Sequence, residues 1–487
     1  MRYDAAIIGA GAEGLAAATL LGQAGLRVIV IERGARAGGR CLTREFHPGY
    51  RASPYVDDVA EIPAELYWQL DLARHGAVFV PERCSHALWP ERCHALNFFT
   101  SGNGGQARLL AEAAERRRSI AARAVGNGEK RSRLSRAGRA PWPAADWATT
   151  ALADAVAVES DDEAAHLAAL SLAGRAADPY LAGSALHLLG ARASAGRLAG
   201  GLGRLGDALH AAADAAGVQF AFGLEASDIQ RRDGRLSGVG LADGSEIAAQ
   251  SIISTLDLKR TFLSFFAWNA LPRTVVRRVN AFRMAGTTAR VLFALSSTPE
   301  FAVPQAQDGP IHVAPSLGVL NAAYQDWRLG VVAEHLPVVL NVVSAHDASL
   351  APPDGAVVTA TLGAVPFRPF DGAWTHEKRE LLRRRARDAA ESVSPGFAER
   401  IVASEVIAPP DIEDALGATD ADLAGGEIAG DQMLGMGPWD EPALPRTPIA
   451  GLYLAGSHLT AGAFATCAAG ASAARALLAD RAKGHRT

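Results

Sequence analysis

The sequence predicts an α/β protein organised around a buried parallel sheet. Three observations carry this. Two short apolar runs without polar alternation lie near the start, a glycine-rich turn and a helix-forming run separate them, and an acidic residue closes the second run. Strands covered by helices on both faces lose the alternation of a half-exposed sheet, so such runs fit a buried parallel one.

Residues 5–8 are the first run, and Gly9, Gly11 and Gly14 follow in G-x-G-x-x-G spacing, with Ala12 and Glu13 between the last two. The first glycine permits a tight turn, the second lets the backbone approach a pyrophosphate, and the third lets a helix lie close on the strand. Residues 15–23 read as that helix, with Gly25 placed to end it. The N–H groups of its first turn would face phosphates. Residues 28–31 form the second strand, closed by Glu32 and Arg33. A carboxylate there accepts hydrogen bonds from ribose hydroxyls. Together these predict a Rossmann-type unit holding a dinucleotide, against the alternative of a plain glycine turn without ligand.

Residues 36–43 then read Arg36-x-Gly38-Gly39-Arg40-x-x-Thr43. Two glycines allow a second close backbone approach, and Arg36 and Arg40 are candidate phosphate partners. A nicotinamide dehydrogenase has no need of this element, whereas two-dinucleotide-binding flavoproteins carry it, so the cofactor expected is FAD.

At 487 residues, 49% of them apolar, the chain can form two or three domains with sizeable cores. A net charge of −4 gives no global argument for nucleic acid. Four cysteines in a chain this long do not make a disulfide framework. With the fingerprint starting at residue 3 or 4 and no long apolar stretch, the expected location is the cytoplasm.

Residues 46–63 read as a loop, 62–74 as an amphipathic helix and 77–80 as a strand. Cys84, His86, Cys93 and His94 invite a metal reading, but their spacing fits no common zinc signature, and buried or half-buried loop residues are expected instead. The Arg-, Gly- and Ser-rich stretch 116–139 reads as a solvated insertion, with contact to an anionic membrane surface as the alternative. Residues 146–189 suit helices, and a glycine-rich run at 193–206 leads into a helix at 205–217. Short strands from 218 to 253, beginning at Ala226 after the first, are joined by Asp-Gly turns at 233–234 and 243–244 and read as a β-meander. Its last part, residues 251–255, looks like a strand returning to the nucleotide-binding sheet.

Further strands are expected at 291–295, 338–343 and 357–362, and a charged helix at 376–392. Near the end, a strand at 452–454 runs into the small-residue turn Ala455-Gly456-Ser457, followed by Gly462, Ala463 and Phe464 and a small-residue helix at 466–478. Such a helix can lie close to a flavin or a neighbouring strand. The domain expectation is a discontinuous FAD-binding domain at 1–60, 193–262 and 425–487, with a mixed α+β substrate domain at 61–192 and 263–424.

These motifs, with the stretches 46–53, 71–76, 200–205 and 447–457, resemble the phytoene-desaturase-like branch of the FAD-dependent amine-oxidase superfamily. The resemblance implies oxidation, desaturation or isomerisation of a hydrophobic, often polyene, small molecule, and it is specific for FAD rather than for substrate. The chain also departs from the pattern. Where the family has a Pro-Gly-Gly-Gly loop beneath the flavin, this sequence has Ala461-Gly462-Ala463-Phe464, so Phe464 is expected at the ring edge with Cys467 three residues on. Glu427 and Gly430 stand where relatives carry histidines. A flavin amine oxidase, with Tyr324, Trp327, Trp374 and Phe464 as candidate pocket aromatics, and a redox-silent flavoprotein with a binding role are the other readings. No segment argues for a particular oligomeric state.

Overall fold

The structure is a computed structural model, which describes residues 2–57, 59, 62–80, 84–97, 105–125, 144–157, 160–191, 196–267, 269–432, 438–439, 444–457 and 466–484. Among the described residues its first sheet has seven strands. In spatial order these are Ala226–Arg232, Arg235–Leu241, Glu246–Ser254, Arg2–Ile8, Val28–Glu32 and Gln219–Phe222, with Leu452–Leu454 paired to Glu246–Ser254. Ile7 lies between Ile253 and Val30 in parallel register, while the first three strands of the order form the antiparallel meander.

Helices Ala12–Gln23, Gly203–Ala215 and Ala468–Gly484 cover one face of this sheet through Leu15, Leu21, Leu205, Leu209 and Leu477. Each such leucine contributes about 1.5–3 kcal/mol on full burial. The approach is close because the contacting residues are small. A Cβ on Gly470 would sit 1.9 Å from the Glu13 carbonyl oxygen. The other face packs against Phe262, Phe265, Leu271, Val275 and Phe282.

The second sheet also has seven strands among the described residues, in the order Ile401–Ile407, Ala289–Leu295, Ala356–Leu362, Val338–Val342, Ile311–Val313, Cys84–Trp89 and Arg92–Asn97. Strand side chains alternate between faces. Val291, Phe293, Leu340 and Val358 bury one face against Leu382 and Ala386 of helix His376–Val393. On the opposite face one row crosses the sheet: Arg290 pairs with Thr361, Thr361 with Val339, Val339 with His312, His312 with Ala87, and Ala87 with His94.

Four sequence expectations change. The loop expected from 46 contains a short hairpin, Arg44–His47 with Tyr50–Ala52, turning at Gly49 with φ +81°. Cys84, His86, Cys93 and His94 lie in paired strands, not in a loop, because the turn at Pro90 and Glu91 folds their segment back on itself. The start of the basic stretch belongs to helix Gly105–Val125. Arg116 there bonds to Glu112 and Asp146 and lies 4.2 Å over the Trp147 ring, so it is docked rather than solvated; residues 126–139 lie outside the described residues. Ile62, Leu66, Leu70 and Ala77, and likewise Phe265 through Met284, were expected on the substrate side but pack into the cores flanking the first sheet.

Candidate functional site

The G-x-G-x-x-G turn opens a cavity of about 190 Å³ at the carboxyl ends of the first sheet's strands, where ligands of such folds bind. Gly9 has φ +100°, and a Cβ there would lie 2.2 Å from Thr255 Oγ1, a hydroxyl that donates to the Ile8 carbonyl at 2.9 Å. A Cβ on Gly14 would lie 2.1 Å from the Gly9 carbonyl oxygen. A Cβ on Gly11, by contrast, meets no atom of the described residues within 4 Å, so among them this side of the turn is open. Gly11 caps helix Ala12–Gln23 without any side-chain hydrogen bond, which leaves first-turn N–H groups for an anion. The second glycine element is pinned against this turn by the Gly38 N–H on the Ala10 carbonyl at 2.9 Å.

Glu32 accepts the N–H groups of Ala10 and Gly34, each at 2.8 Å, one on each carboxylate oxygen. Each oxygen keeps a lone pair for a ribose hydroxyl. The glycine cradle, the uncapped helix end and this carboxylate together fit a dinucleotide.

Gly9, Gly11, Ala12, Glu13, Glu32, Arg33, Gly39, Arg40, Ala226, Gly456 and Ser457 all line the cavity. Gly14 and Gly38 stand behind its wall. Gly462, Ala463 and Phe464 lie outside the described residues. Arg36 is exposed and is not part of the lining, because the chain turns at Gly38 and Gly39 and points Arg40 inward instead. The Glu13 carboxylate serves the C-terminal helix, accepting the Gly470 N–H at 2.8 Å and the Thr466 hydroxyl at 3.3 Å. Burial pushes its pKa up, against those bonds and the pull of Arg40. Cys467 is buried at φ +59° just before that helix, and burial raises its thiol well above the ordinary value.

Arg40 donates to the Leu423 carbonyl and to Ser457 Oγ, each at 2.6 Å. Burial lowers its pKa to about 10, so it stays charged at neutral pH. With Asp422 and Leu423 it also lines a second cavity of about 640 Å³, so the two spaces adjoin at these residues. Asp422 accepts the N–H groups of Ala424, Gly425 and Ala285, yet burial, with some help from Asp257, raises its pKa to about 6.

The second cavity lies under the polar row of the second sheet. Arg290 is 1% exposed and donates to Asp57 at 2.5 and 3.0 Å and to Thr361 at 2.7 Å. Asn341 also donates to Asp57 at 2.8 Å. Burial pushes the Asp57 carboxyl up, but Arg290 outweighs this and holds it below its usual value. Elsewhere in the wall Tyr324 and Trp327 stack at 5.8 Å, and Arg283 pairs with Glu427 and with Asp431. His187 and His312 are held neutral by burial, at about 3 and about 4.

Thr255, Asp257, Leu416 and Asp422 were not singled out from the sequence. Thr255 directly follows a strand ending on the ligand side of a parallel sheet, which is a usable signal. Arg290, a lone charge within the apolar run of residues 289–295, is another. Asp422 had no local signal.

Residues 7–71 match the model of an NAD(P)-binding Rossmann-like domain. Over 98% of its length the chain is 26% identical to pyridine nucleotide-disulfide oxidoreductase domain-containing protein 2 of Rattus norvegicus, covering 94% of that protein, and the Mus musculus protein matches equally. Among solved structures, wild-type putrescine oxidase bound to putrescine superposes with a TM-score of 0.59 at 17% identity, covering 99% of both chains. Cyclohexylamine oxidase from Brevibacterium oxydans gives 0.58 at 17%, covering 99% of this chain and 100% of that one. The chain is thus similar along almost its whole length to pyridine nucleotide-disulfide oxidoreductase domain-containing protein 2, it shares the fold of putrescine oxidase and cyclohexylamine oxidase, and its first cavity has the form of a dinucleotide site.

Proposed function

We propose that the protein is an FAD-dependent oxidoreductase that desaturates or isomerises a hydrophobic molecule, of carotenoid-like or lipid class, held in the larger cavity. The observation that carries this is the shared wall: Arg40, Asp422 and Leu423 border both spaces, so a molecule in one adjoins a cofactor in the other. A volume of about 640 Å³ falls within the range of small-molecule sites. Val56, Leu170, Leu181, Val339 and Ile428 supply apolar wall, and the charges of Arg290 and Asp57 neutralise one another there.

FAD, when bound, supplies a two-electron acceptor. The chain's own residues bind and orient. The Gly11 turn and helix N-terminus take the pyrophosphate, Glu32 takes ribose hydroxyls, and Arg40 holds a positive charge where the two cavities adjoin.

The test is the visible spectrum of purified protein before and after anaerobic photoreduction, then with a panel of hydrophobic substrates. A flavin spectrum that bleaches with one of these and recovers in air supports the reading. Flavin that binds but no reductant bleaches would replace it with a binding role. A second reading, amine oxidation, draws on the stacked Tyr324 and Trp327 and the carboxylates of Glu427 and Asp431 in the same wall. Hydrogen peroxide release on an amine panel, with none on the hydrophobic panel, would favour it.

A further inference from the structure

The larger cavity opens to solvent in one part of its wall and holds two unpaired histidines in another. Leu181 is 58% exposed, and Arg283 and Asp431 are exposed as well, so the opening lies there. His187, from the short helical turn Ser184–Gly190, and His312, from strand Ile311–Val313, line the same cavity but are only 8% and 2% exposed. Helix Asp161–Ser171 packs against both elements.

That helix supplies no partner for His312. The His312 ring centre is 5.5 Å from that of His166, but His166 already uses both its nitrogens, Nε2 on Ser85 Oγ at 3.0 Å and Nδ1 on His94 Nδ1 at 2.9 Å. Among the described residues no hydrogen bond reaches the ring of His187 or of His312, and His187 Nδ1 and His312 Nε2 are also shut off from solvent. This leaves His187 Nε2 and His312 Nδ1 as the nitrogens that a molecule in the cavity can reach. Since no protein group fixes the proton of either ring, each of these atoms can serve as the N–H or as the bare nitrogen.

We propose that His187 and His312 select a substrate that carries an uncharged hydroxyl group on its apolar body.

The proposal rests on the reading of this cavity as the substrate site and names the polar group of that substrate. A hydroxyl donates one hydrogen bond and accepts others, so it can give its hydrogen to a bare ring nitrogen and take one from an N–H. A carboxylate has no hydrogen to give and calls for a cation, whereas burial keeps both rings neutral, at about 3 and about 4. In the same wall Arg290 is engaged with Asp57, and Arg283 with Glu427 and Asp431. Arg175 acts on His187 as a positive charge, so an acid is included in the test below. A wholly apolar molecule would displace water from the two nitrogens and give nothing in return. A site built to bond a hydroxyl rejects the analogue that lacks it for this reason. Val339 stands beside His312 in register on the same face of the sheet and offers the apolar body a wall next to that ring.

The test compares molecules with one tail and different heads: farnesol, farnesene, farnesoic acid and farnesylamine. Each is delivered from cyclodextrin to the whole protein loaded with FAD, and affinity is measured by calorimetry. Farnesol is expected to bind at least about tenfold more tightly than farnesene. H187F and H312F, which keep a ring of similar size, should each weaken farnesol about tenfold and leave farnesene unchanged. H187Q and H312Q, which keep a donor and an acceptor, should retain more of the preference. Equal affinity for farnesol and farnesene in the wild type would show that water alone serves these rings and overturn the proposal, as would tightest binding of the acid or the amine. A second readout assigns the contact to the residues. In protein labelled with 15N at histidine, the ring signals of His187 and His312 should shift far more with farnesol than with farnesene, and equal shifts would overturn the proposal even where the alcohol binds. The redox reading fails separately. Flavin that no substrate bleaches sinks that reading while the head-group preference stays measurable, and bleaching by hydrocarbons without any preference sinks this proposal alone. Absence of binding by all four molecules would overturn the proposal together with the reading of the cavity.

Discussion

The two cavities adjoin at Arg40 and Asp422 but are built by opposite means. The dinucleotide cavity is made largely of backbone: glycines at 9, 11 and 39, an uncapped helix end, and a carboxylate fixed by two N–H groups. The larger cavity is roofed by side chains from one row of a sheet, whose strands come from widely separated parts of the chain. The first depends on atoms being absent, since one methyl group fills the space it needs. The second depends on charges being matched, since a buried ion without its partner is costly.

The largest effect is expected where a charge is left alone. R290M strands the buried Asp57 carboxylate and should lower unfolding stability by about 3–5 kcal/mol, read by urea titration. If the pair is what matters, R290M combined with D57N recovers part of that loss; an equal loss in the double variant would show that packing, not charge, governs this wall.

In the backbone-built cavity, G14A places a methyl group against the Gly9 carbonyl at 2.1 Å. It should cost about 1–3 kcal/mol of stability and abolish flavin retention, measured as absorbance per chain after desalting. Flavin kept at the wild-type ratio would break the contrast between the two regions.

The junction is sharpened by pH. The Asp422 carboxyl has a folded pKa of about 6 against an ordinary 3.8, so the folded state holds its proton more tightly than the unfolded one. Stability from this group is present in full below about pH 4 and falls as pH rises toward 6, by about 3 kcal/mol in all. The wild type should therefore lose stability relative to D422N across that window, and parallel stability curves for the two proteins would refute the shift.

The smallest effect concerns the docked start of the basic stretch. R116A removes a bond to Asp146 and the stacking on Trp147 and should cost about 1 kcal/mol, with flavin content unchanged.

Much of the first region was legible in the sequence because its signals are local. The spacing of Gly9, Gly11 and Gly14 and the acid at Glu32 are demands of turn geometry and close approach within one βαβ unit. The short strands of the meander announced themselves through their Asp-Gly turns in the same way. Arg36 was misplaced because spacing shows that an arginine follows a glycine turn but not which of two points inward. The hairpin holding Ser85, His86 and His94 was read as a loop, since its polar residues look unpaired until the facing helix supplies His166.

What the sequence determined by itself is therefore the dinucleotide-binding unit, because steric requirements between neighbouring residues leave their mark in glycine positions. Tertiary structure alone decided that Arg290 meets Asp57 at 2.5 Å, that His94 meets His166 at 2.9 Å, and that Asp422 joins the two cavities. Those contacts depend on strand register and on helices laid across the sheet, which bring together residues from 72 positions apart for His94 and His166 to 383 for Arg40 and Leu423, and which carry no mark of one another along the chain.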